Sequence, residues 1–239
     1  MPSPSTDNLA VLIDADNAQA SIASELLAEV SSYGTATVKR AYGDWTTPNL
    51  SGWKEVLHNL AIQPVQQFRF TVGKNATDSA LIIDAMDLLH GGTVDGFCLI
   101  SSDSDFTRLA TRIREAGLAV YGFGERKTPK PFVYACDKFV YTEILRPAAV
   151  DSSDAVSPQE PLQPELTTAV NAAAREDGWA ALSGVGSLLM KKNPSFDPRN
   201  YGFPKLGELV RQQPFLEVKS VPAGDGSPSA HLYVRVKSK

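Results

Sequence analysis

The sequence predicts an α/β unit built on a parallel sheet with flanking helices, followed by a small winged-helix unit. Three observations carry that prediction. Short apolar runs alternate with helically spaced segments through residues 8–142. A stretch rich in Pro, Ser, Ala and acids then breaks the pattern at 147–164. Beyond it come three helical segments and two alternating strands. A length of 239 residues exceeds the usual single-domain size, which agrees with two domains: 1–146 in front and 165–239 behind a flexible linker at 147–164.

Leu9–Ile13 is a continuous apolar run ending in carboxylates, the pattern of a strand buried on both faces. Residues 17–31 place Ile22, Leu26, Leu27 and Val30 at helical spacing. Residues 35–42 read as a second strand and 49–61 as a second helix. Residues 62–68 read as a short strand, and Pro64 directs it to a sheet edge, because proline cannot donate to a ladder. A loop at 69–77 leads to a helix over 78–89. A buried strand is expected at Val94–Ser101, a helix over 104–116 ended by Gly117, and a strand at Leu118–Phe123 with a turn at Gly122–Gly124. A short helix near 129–135 and a strand near 138–141 complete the unit. Repeated β-α alternation implies right-handed crossovers and helices on both faces, but leaves strand order open. In the second unit, helices are expected at Leu166–Glu176, Leu182–Lys192 and Lys205–Gln213. Phe215–Val221 and His231–Lys237 form a hairpin across Gly224-Asp225-Gly226.

Charge divides the chain. Residues 1–147 carry 13 Lys and Arg against 17 Asp and Glu, a balance of −4. Residues 164–239 carry 10 bases against 7 acids, a balance of +3. With a net charge of −4, uniform phosphate coating is excluded, so any nucleic-acid contact is local. The two cysteines and three histidines form no zinc-type cluster, and Cys98 lies in an apolar run that reads as core. No long apolar run or signal-type segment stands out, so a soluble, cytoplasmic protein without a membrane partner is expected.

Acids gather where strands should hand over to helices. Asp14-Ala15-Asp16-Asn17 follows the first strand, Lys74-Asn75-Ala76-Thr77-Asp78 enters the third helix, and Ser101-Ser102-Asp103-Ser104-Asp105-Phe106 follows the Val94–Ser101 strand. A weaker fourth segment, Gly122-Phe123-Gly124-Glu125, follows the next strand. In an open parallel sheet the carboxyl ends of the strands face one crevice, so Asp14, Asp103 and Asp105 should converge there. Converging carboxylates repel one another, and a hard cation such as Mg²⁺ or Mn²⁺ relieves the repulsion. Other roles compete. Asp78, Ser102 and Ser104 are also good helix caps, and Asp16 can hydrogen-bond its own turn. Asp84 and Asp87 fit a solvated helix face as well as a cleft. Lys74 can hold a phosphate or pair with an acid.

Taken together, these segments resemble the NYN family of PIN-like nucleases, whose pattern is a strand ending in Asp-x-x-Asn, a Lys-x-x-x-Asp step before a helix, and a strand ending in Ser/Gly-Asp-x-Asp-Phe. Asn75 stands where many relatives have Gly. The resemblance implies a PIN-like (Rossmannoid) sheet and a metal-dependent ribonuclease, with Mg²⁺ or Mn²⁺ on Asp14, Asp78, Asp103 and Asp105, Asn17 and Ser102 as orienting groups, and Lys74 beside them. Residues 165–237 resemble the OST-HTH (LOTUS) domain through Gly178-Trp179-Ala180-Ala181-Leu182, Gly184-Val185-Gly186, Pro194-Ser195-Phe196-Asp197 and Tyr201-Gly202-Phe203-Pro204-Lys205-Leu206. That resemblance implies RNA as partner, single-stranded or G-rich, and in some relatives a protein partner. Lys191, Lys192, Arg199, Lys205 and Arg211 are candidate phosphate contacts and Tyr201 a candidate base-stacking residue. The basic residues also fit a solvated face, and Phe203 and Tyr201 also fit a core.

Two other functions stay open at this level. Asp14-x-Asp16 is similar to the haloacid-dehalogenase phosphatases, although a helix near Asn17 leaves no room for their hairpin and flap. A non-catalytic RNA-binding adaptor needs the same two domains without turnover. Oligomeric state is not written in the sequence.

Overall fold

A computed structural model of the chain describes residues 7–68, 76–146, 162–222 and 230–237. The chain divides into two compact units, Met1–Asp151 and Ser152–Lys239.

The first unit holds six strands: β1 (Asn8–Asp14), β2 (Thr35–Gly43), β3 (Gln63–Gln66), β4 (Gly96–Ile100), β5 (Ala119–Gly124) and β6 (Lys138–Tyr141). All pair in parallel, in the order β3-β2-β1-β4-β5-β6. Chain order runs outward from β1 in one direction and outward from β4 in the other, so the sheet has a topological switch point between them.

Period-two alternation sends the side chains of each strand to two different cores. Ala10, Leu12, Phe97 and Leu99 face α3 (Ala76–Gly91), α4 (Thr107–Glu115) and α5 (Lys130–Ala135), joining Leu81, Ile113 and Phe132. Leu9, Val11, Ile13, Cys98 and Ile100 face α1 (Ala23–Val30) and α2 (Trp53–Asn59), joining Leu26, Val30 and Trp53. A strand covered on both sides must be apolar at every position. This is why β1 and β4 are legible as unbroken runs, and each fully buried Leu or Ile there contributes about 1.5–3 kcal/mol. Cys98 and Cys136 are both buried and free.

Pro64 sits on the edge strand β3, opposite Ala41. The helices expected from residues 17 and 49 begin later, at Ala23 and Trp53, each preceded by a single 3₁₀ turn. The expected turn at Gly122–Gly124 is instead the end of β5. A Cβ on Gly122 would lie 2.5 Å from Phe139 and 2.6 Å from Cys136 Sγ, and one on Gly124 would lie 2.6 Å from the Ser101 carbonyl oxygen. These glycines therefore serve close packing and leave the strand direction unchanged.

In the second unit, α6 (Leu162–Ala173), α7 (Leu182–Lys192) and α8 (Leu206–Arg211) pack against the antiparallel sheet β7-β9-β8. Its strands are β7 (Ala180–Ala181), β8 (Leu216–Pro222) and β9 (Ala230–Val236). Helix α6 starts at Leu162, within the stretch expected as linker. Pro164 lies in the first helical turn, where its missing N–H removes no hydrogen bond. The expected turn at Gly224–Gly226 lies outside the described residues, as does the linker stretch 147–161. Among the described residues no helix is long and apolar enough to cross a membrane.

Candidate active site

The loops that follow β1 and β4 part at the switch point, and a crevice opens there at the carboxyl edge of the sheet. Asp14 is the last residue of β1 and is fully buried. Its Oδ2 accepts from Asn17 Nδ2 at 2.8 Å and from the Ser101 hydroxyl at 2.7 Å. Its Oδ1 is buried with no hydrogen-bond partner. Burial raises the Asp14 pKa above the usual carboxylate value, against the lowering effect of the Ser101 and Asn17 hydrogen bonds. The Asn17 and Ala18 backbone N–H groups bond the Asp14 carbonyl, closing the turn that carries Asn17 back over the carboxylate.

Ser101 ties the two loops together. Its hydroxyl donates to Asp14 and accepts from Asp103 N at 3.1 Å. Asp103 caps the 3₁₀ turn before α4 by accepting from Asp105 N at 2.9 Å. Asp78, in the first turn of α3, arrives from the other side of the crevice. One carboxylate oxygen from each of Asp78, Asp103 and Asp105 lies within 4.8 Å of the others. Asp14 is not part of that close triad, yet its charge reaches it. The Asp78 pKa is pushed up to about 6, first by burial and then by the charges of Asp14, Asp103, Asp105 and Asp16. A helix N-terminus favours a carboxylate by about 0.3–1 kcal/mol, which is too little to cancel the repulsion.

Two expected sites are placed differently. The Ser102 hydroxyl accepts from Glu125 N at 2.9 Å, so it fixes the loop after β5, while the bond that orients Asp14 comes from Ser101. Asp84 is half-buried and committed to β2, since it accepts from Arg40 and from the Tyr42 hydroxyl. Asp87 is exposed, and Lys74 lies outside the described residues. Asp16 accepts from the Thr77 hydroxyl at 3.2 Å and bridges the β1 turn to the start of α3, a role its sequence position does not announce.

The loop after β5 mixes acids and bases. Arg126 lies 5.4 Å from the Tyr141 ring centre, and its N–H bonds Glu143. Lys127 pairs with Glu125 at 2.7 Å. The cavity between Asn17, Ser101, Ser102 and Glu125 measures about 20 Å³, room for roughly one water.

In the second unit Lys191 and Lys192 are exposed at the end of α7, Lys205 is exposed just before α8, and Arg211 is exposed at its end. Arg199 is committed locally: its guanidinium bonds Asp197 at 2.7 and 3.0 Å. Tyr201 is half-buried against the core, 6.0 Å from the Phe196 ring.

The doubly wound sheet and the carboxylates at its switch point define an α/β domain that gathers negative charge at a single point, the arrangement expected of a nuclease-type centre. The pattern of the NYN domain matches residues 8–145, and the chain belongs to that family. The OST-HTH/LOTUS pattern matches residues 159–228, so a nuclease-type domain is followed by an RNA-binding-type domain. No protein of curated function matches. Among solved structures, a protein of unknown function from Vibrio parahaemolyticus is similar at 20% identity, covering 59% of this chain and 96% of its own, with a TM-score of 0.49. A solution structure of residues 175–257 of a Chromobacterium violaceum protein is similar at 41% identity over 34% of this chain and 85% of its own, with a TM-score of 0.28. An uncharacterised Nitrosomonas europaea protein is similar at 28% identity over 39% of this chain and 92% of its own, with a TM-score of 0.30.

Proposed function

We propose that the chain is a metal-dependent endoribonuclease whose first unit hydrolyses RNA phosphodiester bonds and whose second unit binds the RNA. The observation that carries this reading is the convergence of Asp78, Asp103 and Asp105 beside a buried Asp14 whose Oδ1 has no partner. An all-oxygen donor set of this kind suits Mg²⁺ or Mn²⁺. Asp78, Asp103 and Asp105 would hold the cation, with Asp14 adding charge from behind. When bound, such an ion lowers the pKa of a coordinated water and neutralises phosphodiester charge.

The chain's own residues do the positioning. Ser101 and Asn17 hold Asp14 in one orientation and favour its ionised form. Ser101 also fixes the Asp103 backbone, and Asp16 with Thr77 fixes the start of α3. Arg126 and Lys127, in the loop that follows β5, are the cations proposed to meet the phosphates on either side of the scissile bond. Lys191, Lys192, Lys205 and Arg211 give the second unit exposed cations for the RNA backbone. Single-stranded or G-rich RNA is the proposed substrate class, and the cytoplasm the proposed site of action.

The test is cleavage of end-labelled RNA by the purified chain with Mn²⁺, with EDTA, and with Asp103→Asn. The expected result is internal cleavage in Mn²⁺ that both controls abolish. Cleavage that survives both rejects the metal mechanism. Binding without cleavage under every condition favours a non-catalytic adaptor.

A further inference from the structure

The outward face of the second unit's sheet carries a cluster that none of the roles above uses. Strand register sets it up: Lys219 pairs with Tyr233, Glu217 with Arg235, and Ala181 with Tyr233. The alternate positions Leu216, Val218, Val234 and Val236 point into the core. Lys219, Tyr233 and Arg235 therefore share the opposite face, and Trp179 joins them two residues before Ala181. Lys219 Nζ lies 4.1 Å from the Trp179 ring centre and 5.6 Å from that of Tyr233. Arg235 lies 4.7 Å from the Trp179 ring centre and pairs with Glu217 at 2.7 Å.

The two cations differ in what holds them. Arg235 has a carboxylate partner. Among the described residues Lys219 has none, and two aromatic rings hold its ammonium in place. Rings stabilise an ammonium through their faces but accept none of its N–H donors in the way an oxyanion does. The charge is therefore prepositioned with hydrogen-bonding capacity left over, beside half-buried aromatic surface. A single-stranded nucleotide offers the matching pair of groups: a phosphate for the ammonium and a flat base for a ring. An acidic peptide offers the charge without the flat base.

We propose that Lys219, Tyr233 and Trp179 form a nucleotide-binding platform for single-stranded RNA, with the phosphate on Lys219 and the base against Tyr233. This rests on the RNA-binding reading of the second unit but assigns it a surface separate from the lysines of α7.

The test uses the full chain in EDTA with a fluorescein-labelled G-rich RNA 12-mer, a U-rich 12-mer and a fluorescein-labelled oligo-glutamate, read by anisotropy at several salt concentrations. Lys219→Gln and Tyr233→Leu are each expected to weaken RNA binding by about 3–10-fold, and Lys219→Gln to lower the salt slope by about one phosphate contact. Tyr233→Phe keeps the ring and should bind normally. RNA carrying 4-thiouridine should photocrosslink to Tyr233 or Trp179. If Tyr233→Leu loses its fold, Lys219→Gln decides the matter, because it removes no ring. Unchanged RNA binding by Lys219→Gln, with weakened binding by Lys191→Gln/Lys192→Gln, overturns the platform and leaves the RNA reading intact. A wild-type chain that binds neither RNA removes both. Loss of oligo-glutamate binding with RNA binding unchanged makes the face a site for an acidic protein and overturns the proposal.

Discussion

Replacing Asp78 by asparagine should stabilise the metal-free protein and weaken the metal-bound one. Two unit charges 4.8 Å apart repel by roughly 3.5 kcal/mol at an effective dielectric of about 20. The upward shift of the Asp78 carboxyl, caused first by burial and then by its acidic neighbours, is of the same order. Raising Asp78 from 3.8 to about 6 corresponds to roughly 3 kcal/mol of unfavourable interaction in the ionised state. Asp78 is only half-buried, and solvent screening reduces this to about 1.5 kcal/mol. For a domain of this size that is about 3–6 °C in Tm. The sign with pH follows from which state holds the proton. Below about pH 4 the carboxyl is protonated in both states and the penalty is absent. Between about pH 4 and 6 the unfolded chain ionises first, so wild-type stability falls as pH rises. Above about pH 6 the penalty is complete. Asp78→Asn in EDTA should therefore melt higher than wild type at pH 7.5, by less at pH 5, and not at all near pH 4. Saturating Mn²⁺ reverses the order, since a ligand at about 100 times its Kd adds roughly 2.7 kcal/mol to the protein that binds it. Scanning fluorimetry over pH, with EDTA and with Mn²⁺, reads all of this. A variant less stable than wild type in EDTA at pH 7.5, or an advantage unchanged at pH 4, refutes the repulsion argument.

Three further perturbations separate neighbouring roles. Ser101→Ala strips Asp14 of a donor and Asp103 N of its acceptor, and should lower Mn²⁺ affinity by about 10–100-fold in titration calorimetry. Ser102→Ala, whose hydroxyl meets Glu125 N, should change it little, and equal losses in the two would contradict the assignment. Asp84→Asn breaks the contact with Arg40 and Tyr42, and should cost about 1–2 kcal/mol in urea unfolding while leaving Mn²⁺ affinity unchanged. Arg126→Gln with Lys127→Gln should raise KM for RNA by about 5–10-fold at nearly constant kcat; a fall in kcat alone would show that these residues act on the chemical step.

What the sequence discloses follows from how local each signal is. β1 and β4 are legible because burial on both faces leaves no polar position to interrupt them. Asp14, Asp103 and Asp105 are legible as neighbours because every strand of a parallel sheet ends at the same edge. Ser101 is a different matter. Ile13 lies beside Ile100 in the β1–β4 register, so the next residues, Asp14 and Ser101, meet. That register belongs to two strands more than 80 residues apart, and no short-range pattern encodes it. Ser102 draws attention because it precedes Asp103, yet its side chain turns to the β5 loop. Gly122 and Gly124 look like a turn because glycine more often marks a turn than a site of close packing. Arg199 looks like a surface cation until Asp197, two residues away, is seen to occupy it. Asp84 looks solvated because Arg40 and Tyr42, its partners, belong to a distant strand.

The same electrostatics couple the cation to the RNA. The front unit has a balance of −4, and on the proposed function the scissile phosphate would have to approach its gathered carboxylates. Without a cation that point would repel a phosphodiester. A bound divalent ion would offset about half the charge of the four carboxylates and so weaken that repulsion. On the proposed function RNA and metal should then bind with positive coupling, and linkage requires each to tighten the other by the same factor. Measuring Mn²⁺ affinity with and without an RNA bearing a non-hydrolysable linkage, and RNA affinity with and without Mn²⁺, gives two independent estimates of that factor. Agreement above one supports a site where metal and phosphate meet. A factor of one means that the RNA never reaches the carboxylates, and the repulsion stored among Asp14, Asp78, Asp103 and Asp105 must then be explained without a substrate.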